Sequence, residues 1–207
     1  MLWFIVHDEC VSDQLQNQDP KPCVQVNLRD GIEKGFAILK DIRGATQVLL
    51  IPTARVPGIE SPMILAPDAP NYFADAWEAR TYIDEALHRT LPRDDFGLAI
   101  NSAANRSQDQ LHIHVDCIRP DVHEALRERE ASIGNRWAPL MSLYPDTTMR
   151  LCGCQESVWV RTIRSDSWPR DFPAGRRIWA IEPWSWSDHP GRMELRDSSF
   201  SKIKSIE

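Results

Sequence analysis

The chain has 207 residues, 42% hydrophobic and 26% charged, which is the make-up of a soluble globular protein long enough to bury a core of its own. Its net charge of −6 speaks against a general nucleic-acid binder, so an anionic substrate would need local basic groups rather than a global field. No apolar run reaches the ~18–20 residues of a membrane-spanning helix.

The first 34 residues read as an N-terminal segment. Its opening "MLWFIV" is too short for a signal peptide or an anchor; it reads as the remnant of a trimmed anchor or as the first strand or helix of the fold. Cys10 and Cys23 flank a polar stretch with two prolines, "CVSDQLQNQDPKPC". Such a pair suits a disulfide in an oxidising compartment, and two free thiols in a reducing one. Cys152 and Cys154 form a C-x-C without zinc-finger spacing.

A core spans residues 35 to 145. Phe36 to Lys40 and Gln47 to Ile51 are strand-like around the turn "DIRG", and the second strand is apolar on both faces, hence central. Prolines 52, 57, 62, 67 and 70 predict a stiff, extended loop. Residues 71 to 90 predict one amphipathic helix, with Phe73, Ala76, Trp77, Ile83 and Leu87 on one face, starting at Pro70 and Asn71 and ended by Pro92. Phe96 to Asn101 and residues 109 to 118 are two further strands, joined by the turn "SAANRS". A second helix begins at Pro120 and stops at Gly134. The order β-β-α-β-β-α argues an α+β domain with an antiparallel sheet. Residues 146 to 207 hold five of the eight tryptophans but little periodicity, and predict an irregular, poorly ordered tail.

The stretch "RSQDQLHIHVDC", residues 106 to 117, carries the chemistry. Alternation on a strand puts Leu111, Ile113, Val115 and Cys117 on the core face and Gln110, His112, His114 and Asp116 on the other. Four polar residues on one face must meet water, polar protein groups or a ligand. Three readings are open. The face is solvated, as is common in antiparallel sheets. Or His112 and His114 bind zinc with a third ligand, for which Asp116, His88 and His123 are the available residues. Or one imidazole is a nucleophile oriented by its neighbours.

The run Gln-φ-His-φ-His-φ after "LAINSAANRSQ" resembles the signature of the histidine-triad superfamily, His-φ-His-φ-His-φ-φ, with Gln110 in place of the first histidine. The stretches "QNQDPKPC", "ILKDIRGATQVLLIPT", "GIESP", "APNYFADAWEAR", "LAINS", "RSQDQLHIHVDCIRPDV" and "RW" are similar to its CDP-diacylglycerol pyrophosphatase branch over residues 9 to about 140. Beyond about 145 the family continues with ordered structure that the tail does not match; a diverged end and an out-of-frame translation are both open.

The resemblance implies a histidine-triad-like sheet with a long helix between its strand pairs. It implies hydrolysis of CDP-diacylglycerol to phosphatidate and CMP, through a cytidylyl-histidine on His112 and with no metal or cofactor. His112 would attack the phosphorus while a backbone carbonyl holds its other ring nitrogen. His114 would donate to a phosphate oxygen, and Gln110 would orient rather than donate a proton. Asn101, Ser107 and Gln108, with the turn 105 to 108, would contact phosphate; Arg106 is our addition to that set, weighed against an exposed turn arginine. Lys40 and Arg55 are weaker candidates, and Trp77 is read as core packing before a border for acyl chains. Two alternatives are a hydrolase or transferase of soluble nucleotides and a non-catalytic nucleotide or lipid binder. The implied partner is lipid substrate at a membrane surface, with a homodimer open to it. The implied location is the periplasmic face of the inner membrane if an anchor precedes the chain, and peripheral or soluble otherwise.

Overall fold

The structure is a computed structural model that describes residues 1–103, 106–128, 130–132, 138–144, 147–154 and 157–163, with backbone alone from 132 onward. The remaining tail and the helix stop expected at Gly134 lie outside the described residues.

The chain begins with a helical arm: α1 (Leu2–Phe4), a π-helical stretch (Ile5–Val11) and α2 (Ser12–Asn17). Its buried residues are Ile5, Val6, Cys10 and Val11, two pairs five residues apart. That is the repeat of a π-helix, whose hydrogen bonds run i to i+5. The arm ends at Gln18 in the left-handed region, and Cys10 is disulfide-bonded to Cys23.

Five antiparallel strands follow: β1 (Gln25–Asn27), β2 (Phe36–Lys40), β3 (Val48–Pro52), β4 (Phe96–Ala99) and β5 (Ile113–Cys117). Their order in the sheet is β1-β2-β3-β5-β4. β3 is central and buried along its whole length, as its unbroken apolar sequence predicts. Both faces of the sheet are covered. On one, Ala37, Leu39, Leu49 and Ile51 pack against the helical arm and Cys23. On the other, Phe36, Ile38, Leu50, Ile113 and Val115 pack against Tyr72, Ala76, Ala79 and Ile83. A fully buried Ile83 contributes about 1.5–3 kcal/mol to this layer. Residues 1–34 thus add a helical layer and an edge strand to the same sheet as the strands after them.

The helix expected over 71–90 is two helices, α3 (Tyr72–Glu78) and α4 (Thr81–Leu87). The break has a local cause. Arg80 Nη1 donates to the Trp77 carbonyl at 2.7 Å and Thr81 Oγ1 to the Glu78 carbonyl at 3.0 Å. Side chains therefore take carbonyls that the ladder of a continuous helix would use. Asn71 caps α3, accepting from Ala74 N, and α4 ends at His88, in the left-handed region, before Pro92 is reached. The proline loop is not uniformly extended: it holds tight turns closed by Ser61 N on Gly58 O and Ala69 N on Ala66 O, at 3.0 and 3.1 Å, and a short 3-10 turn at Pro62–Leu65. There Pro62 occupies the first turn, where its missing N–H costs nothing.

The fourth expected strand begins at Ile113 instead of residue 109. Leu111 N donates to Val56 O at 2.6 Å, so residues before 113 lie along the proline loop outside the regular ladder. Prolines 52 and 57 have no N–H with which to complete one. The last helix of this part is α5 (Pro120–Arg127), followed by a 3-10 turn at Glu130–Ser132.

Residues expected to lack strand periodicity form two strands of a second antiparallel sheet, ordered β6-β7-β8. Its strands are β6 (Ala138–Tyr144), β7 (Thr147–Cys154) and β8 (Ser157–Ile163).

Candidate active site

β5 brings His114 into the sheet, and His112 stands one residue before its start. Leu49 lies opposite His114, with Ala99 on its other side. His114 therefore shares a face with Leu49, the face on which the helical arm packs.

His112 is buried, 7% exposed. Its Nδ1 lies 2.7 Å from the carbonyl oxygen of Gln110. A carbonyl has no proton to give, so Nδ1 carries the hydrogen and the lone pair of the neutral ring sits on Nε2. Burial pulls the pKa of His112 below its usual value, and the neighbouring His114 and Arg106 lower it further. The Gln110 carbonyl and Asp41 act in the other direction but do not offset this. At neutral pH the ring is uncharged and nucleophilic.

Gln110 itself faces polar protein. It is 2% exposed, and its Nε2 donates to the carbonyls of Pro52 and Ala54, each at 3.0 Å. The polar face of this stretch is thus satisfied in part by backbone oxygens left over in the proline loop. The amide of Gln110 fastens that loop, while its own carbonyl orients His112.

His114 sits edge-on to His112, ring centres 5.1 Å apart. Its Nδ1 is 2.6 Å from Gln47 Nε2 and 3.6 Å from Asp41 Oδ2; its Nε2 is 3.4 Å from Asn101 Nδ2. Gln47 Nε2 also hydrogen-bonds Asp41 Oδ2. Burial raises the pKa of Asp41, but the adjacent His114 ring, the Arg43 backbone N–H and the charge of Lys40 outweigh it and hold the carboxyl below its ordinary value.

Asp41 and Gln47 were not singled out in the sequence. The signal was there: both flank the hairpin turn, and in phase with Leu39 and Leu49 they fall on the histidine face. What a single strand could not give is the pairing that brings that turn against β5. Lys40, half of the weaker basic pair, is buried and uses its ammonium on the carbonyls of Asp41 and Gly44, at 2.7 and 3.0 Å. Arg55 is exposed.

The turn before the histidines divides. Asn101 reaches His114, Ser107 is exposed, and Gln108 Oε1 accepts from the backbone nitrogens of Met1 and Leu2 at 2.8 and 3.4 Å. Arg106 is not an exposed turn arginine. Its side chain is 9% exposed, with Nη1 2.7 Å from Glu60 Oε1 and Nε 2.9 Å from Asp109 Oδ1. It clamps the turn to the proline loop, its charge already met by two carboxylates. Residue 105 lies outside the described residues.

The suggested third metal ligands are elsewhere. Asp116 Oδ1 accepts from Thr46 Oγ1 at 2.8 Å, and His88 is exposed at the end of α4. His123 lies 3.1 Å from Asp94 Oδ2 and 3.8 Å from Asp95 Oδ1. Among the described residues, that trio is the cluster of candidate ligand atoms, and it includes neither His112 nor His114. Trp77 packs on the core, edge-on to Phe96 and with the guanidinium groups of Arg80 and Arg93 over its ring.

A sequence model of the CDP-diacylglycerol pyrophosphatase family matches residues 1–155. The CDP-diacylglycerol pyrophosphatase of Yersinia pestis is 46% identical over 139 residues, covering 67% of this chain and 52% of that protein. The chain thus spans about half the length of the curated relative it matches.

Proposed function

The chain belongs to the CDP-diacylglycerol pyrophosphatase family, and we propose that it hydrolyses the pyrophosphate bond of CDP-diacylglycerol to phosphatidate and CMP. The observation that carries this reading is the hydrogen bond from His112 Nδ1 to the Gln110 carbonyl, which leaves Nε2 as the lone-pair nitrogen of a buried, neutral ring.

Nε2 of His112 attacks the phosphorus that bears cytidine. The N–P bond forms as the bridging P–O bond breaks, and phosphatidate leaves with the bridging oxygen. The cytidylyl-imidazolium keeps its proton on Nδ1, where the Gln110 carbonyl stabilises it. Water then attacks the same phosphorus and gives up one proton to solvent, the N–P bond breaks with its electron pair returning to Nε2, and CMP departs with the ring neutral again. The leaving phosphate monoester has a second pKa near ~6, so it needs little protonation. That suits a site where the first triad histidine is replaced by Gln110, whose amide is engaged with the proline loop. His114 and Asn101 supply N–H groups for the charge that develops on the phosphoryl oxygens.

The substrate is a lipid, so a membrane surface and the periplasmic face of the inner membrane belong to this proposal, as does a homodimer. The Cys10–Cys23 disulfide supports an oxidising compartment. Among the described residues no helix is long and apolar enough to cross a membrane.

The test is CMP release from CDP-diacylglycerol micelles in EDTA, with CDP-choline as the soluble comparison. Release from the lipid by wild type but not by His112→Ala is expected. Preference for CDP-choline would move the substrate to soluble nucleotides; activity that returns only with added zinc would overturn the imidazole route.

A further inference from the structure

Gln47 Nε2 touches two groups at once, Asp41 Oδ2 and His114 Nδ1. The polarity of this chain follows from its first member. Asp41 accepts from Arg43 N, and a carboxyl group with an ordinary pKa of ~3.9 is ionised at neutral pH, so it only accepts. The Gln47 atom facing it therefore donates, so it is the amide nitrogen, and its second hydrogen points at His114. Nδ1 of His114 must then hold a lone pair, which puts the ring hydrogen on Nε2.

That hydrogen faces Asn101 Nδ2, 3.4 Å away. Two N–H groups cannot satisfy each other, but an anionic oxygen between them accepts from both. Asp41 is itself fixed, because its other oxygen, Oδ1, accepts from Arg43 N at 2.9 Å in the hairpin turn.

We propose that Asp41 and Gln47 are positioning residues that lock His114 in the Nε2–H tautomer, so that it presents a donor to an anionic oxygen of the substrate. The tautomer follows from hydrogen-bond geometry alone; its use on a phosphoryl oxygen rests on the reading given under Proposed function. The device is a relay of three groups. The carboxylate sets the direction of the Gln47 amide, and the amide sets the proton on the imidazole.

Asp41→Asn inverts the relay without changing its shape. If the substituted side chain keeps its oxygen on Arg43 N, its NH2 faces Gln47. The Gln47 amide then turns its oxygen inward, where it accepts from that NH2 and from a hydrogen on His114 Nδ1. Nε2 is left bare and can no longer donate. The proton count of the ring is unchanged; only its position moves.

The experiment uses the full chain, with nitrogen-15 spectra of the histidine rings above the ordinary imidazole pKa of ~6.5. Wild type should show Nε2 of His114 protonated, and Asp41→Asn should show Nδ1 protonated. In the same variant kcat for CMP release should fall about 100-fold, the scale of losing one donor to a developing oxyanion, with KM within about threefold. Gln47→Met removes the middle group. In that background Asp41→Asn should leave the His114 tautomer unmoved, since the coupling has lost its carrier. An unchanged His114 tautomer in Asp41→Asn would overturn the relay, and so would a shift that persists in Gln47→Met. Inversion of the tautomer in a chain whose wild type releases no CMP would sustain the relay and sink the substrate reading instead.

Discussion

Replacing Gln110 with Leu separates the two things this residue does. The side chain donates to the carbonyls of Pro52 and Ala54, both at 3.0 Å, from a position 2% exposed. Leu fills nearly the same volume and leaves no cavity, but both carbonyls lose a donor. A buried group left without its partner costs ~1–3 kcal/mol, and removing the buried Gln amide gives part of that back, so the net loss should be about 2–4 kcal/mol. With a urea m-value of ~1–3 kcal/mol/M, the unfolding midpoint should drop by about 1–2 M with m unchanged. The backbone carbonyl that holds His112 Nδ1 survives the substitution. Below the unfolding transition kcat should therefore stay within about tenfold of wild type. An unmoved midpoint would refute the anchoring role. A folded Leu variant that loses activity by about a thousandfold would refute the assignment of catalysis to the carbonyl and put the amide on the substrate.

The Cys10–Cys23 bridge closes a loop with a sequence separation of 13. Cys10→Ala with Cys23→Ala should therefore cost about 3 kcal/mol in the unfolded-chain entropy model, read as a lower melting temperature that a reductant reproduces in wild type and not in the double variant. His112 has a folded pKa below its unfolded value of ~6.5. Between those values the unfolded chain binds more protons, so stability is held above ~6.5 and lost as pH falls through that window; urea midpoints from pH ~7.5 down to pH ~5 should decline less in His112→Asn than in wild type. A Cβ added at Gly58 would collide with Arg106 Nη1 and lie 2.6 Å from Glu60 Oε2. Gly58→Ala should destabilise by about 1–3 kcal/mol, and Arg106→Ala should reduce the Gly58→Ala effect in a double-mutant cycle, because only the Glu60 contact remains.

The parts of the fold that follow a two-residue or 3.6-residue rhythm were readable in the sequence. The β2–β3 hairpin, the apolar parity of Ile113 and Val115, and the start of α3 at Asn71 all carry that signal. The helical arm carries a five-residue rhythm instead, Ile5 with Cys10 and Val6 with Val11, which neither template detects. The division of α3 from α4 was hidden because good helix formers surround it; the break comes from side chains that compete for carbonyls. At the site, the histidines and Gln110 stood out because a strand displays them together. Arg106 was visible as a charge, but its partner Glu60 lies 46 positions earlier in a loop with no periodicity. The Asp41–Gln47–His114 chain likewise joins one hairpin turn to a strand 67 positions later, a pairing that only the sheet order supplies.

The central claim is that His112 Nε2 becomes covalently bonded to phosphorus. The most direct measurement is rapid acid-free quenching of the enzyme with CDP-diacylglycerol, followed by mass spectrometry of its peptides. The account predicts an acid-labile cytidylyl adduct on His112, formed and lost at rates compatible with turnover and absent from His112→Ala. A cytidylyl group on a different residue, or steady CMP release from a His112→Ala enzyme, would contradict it.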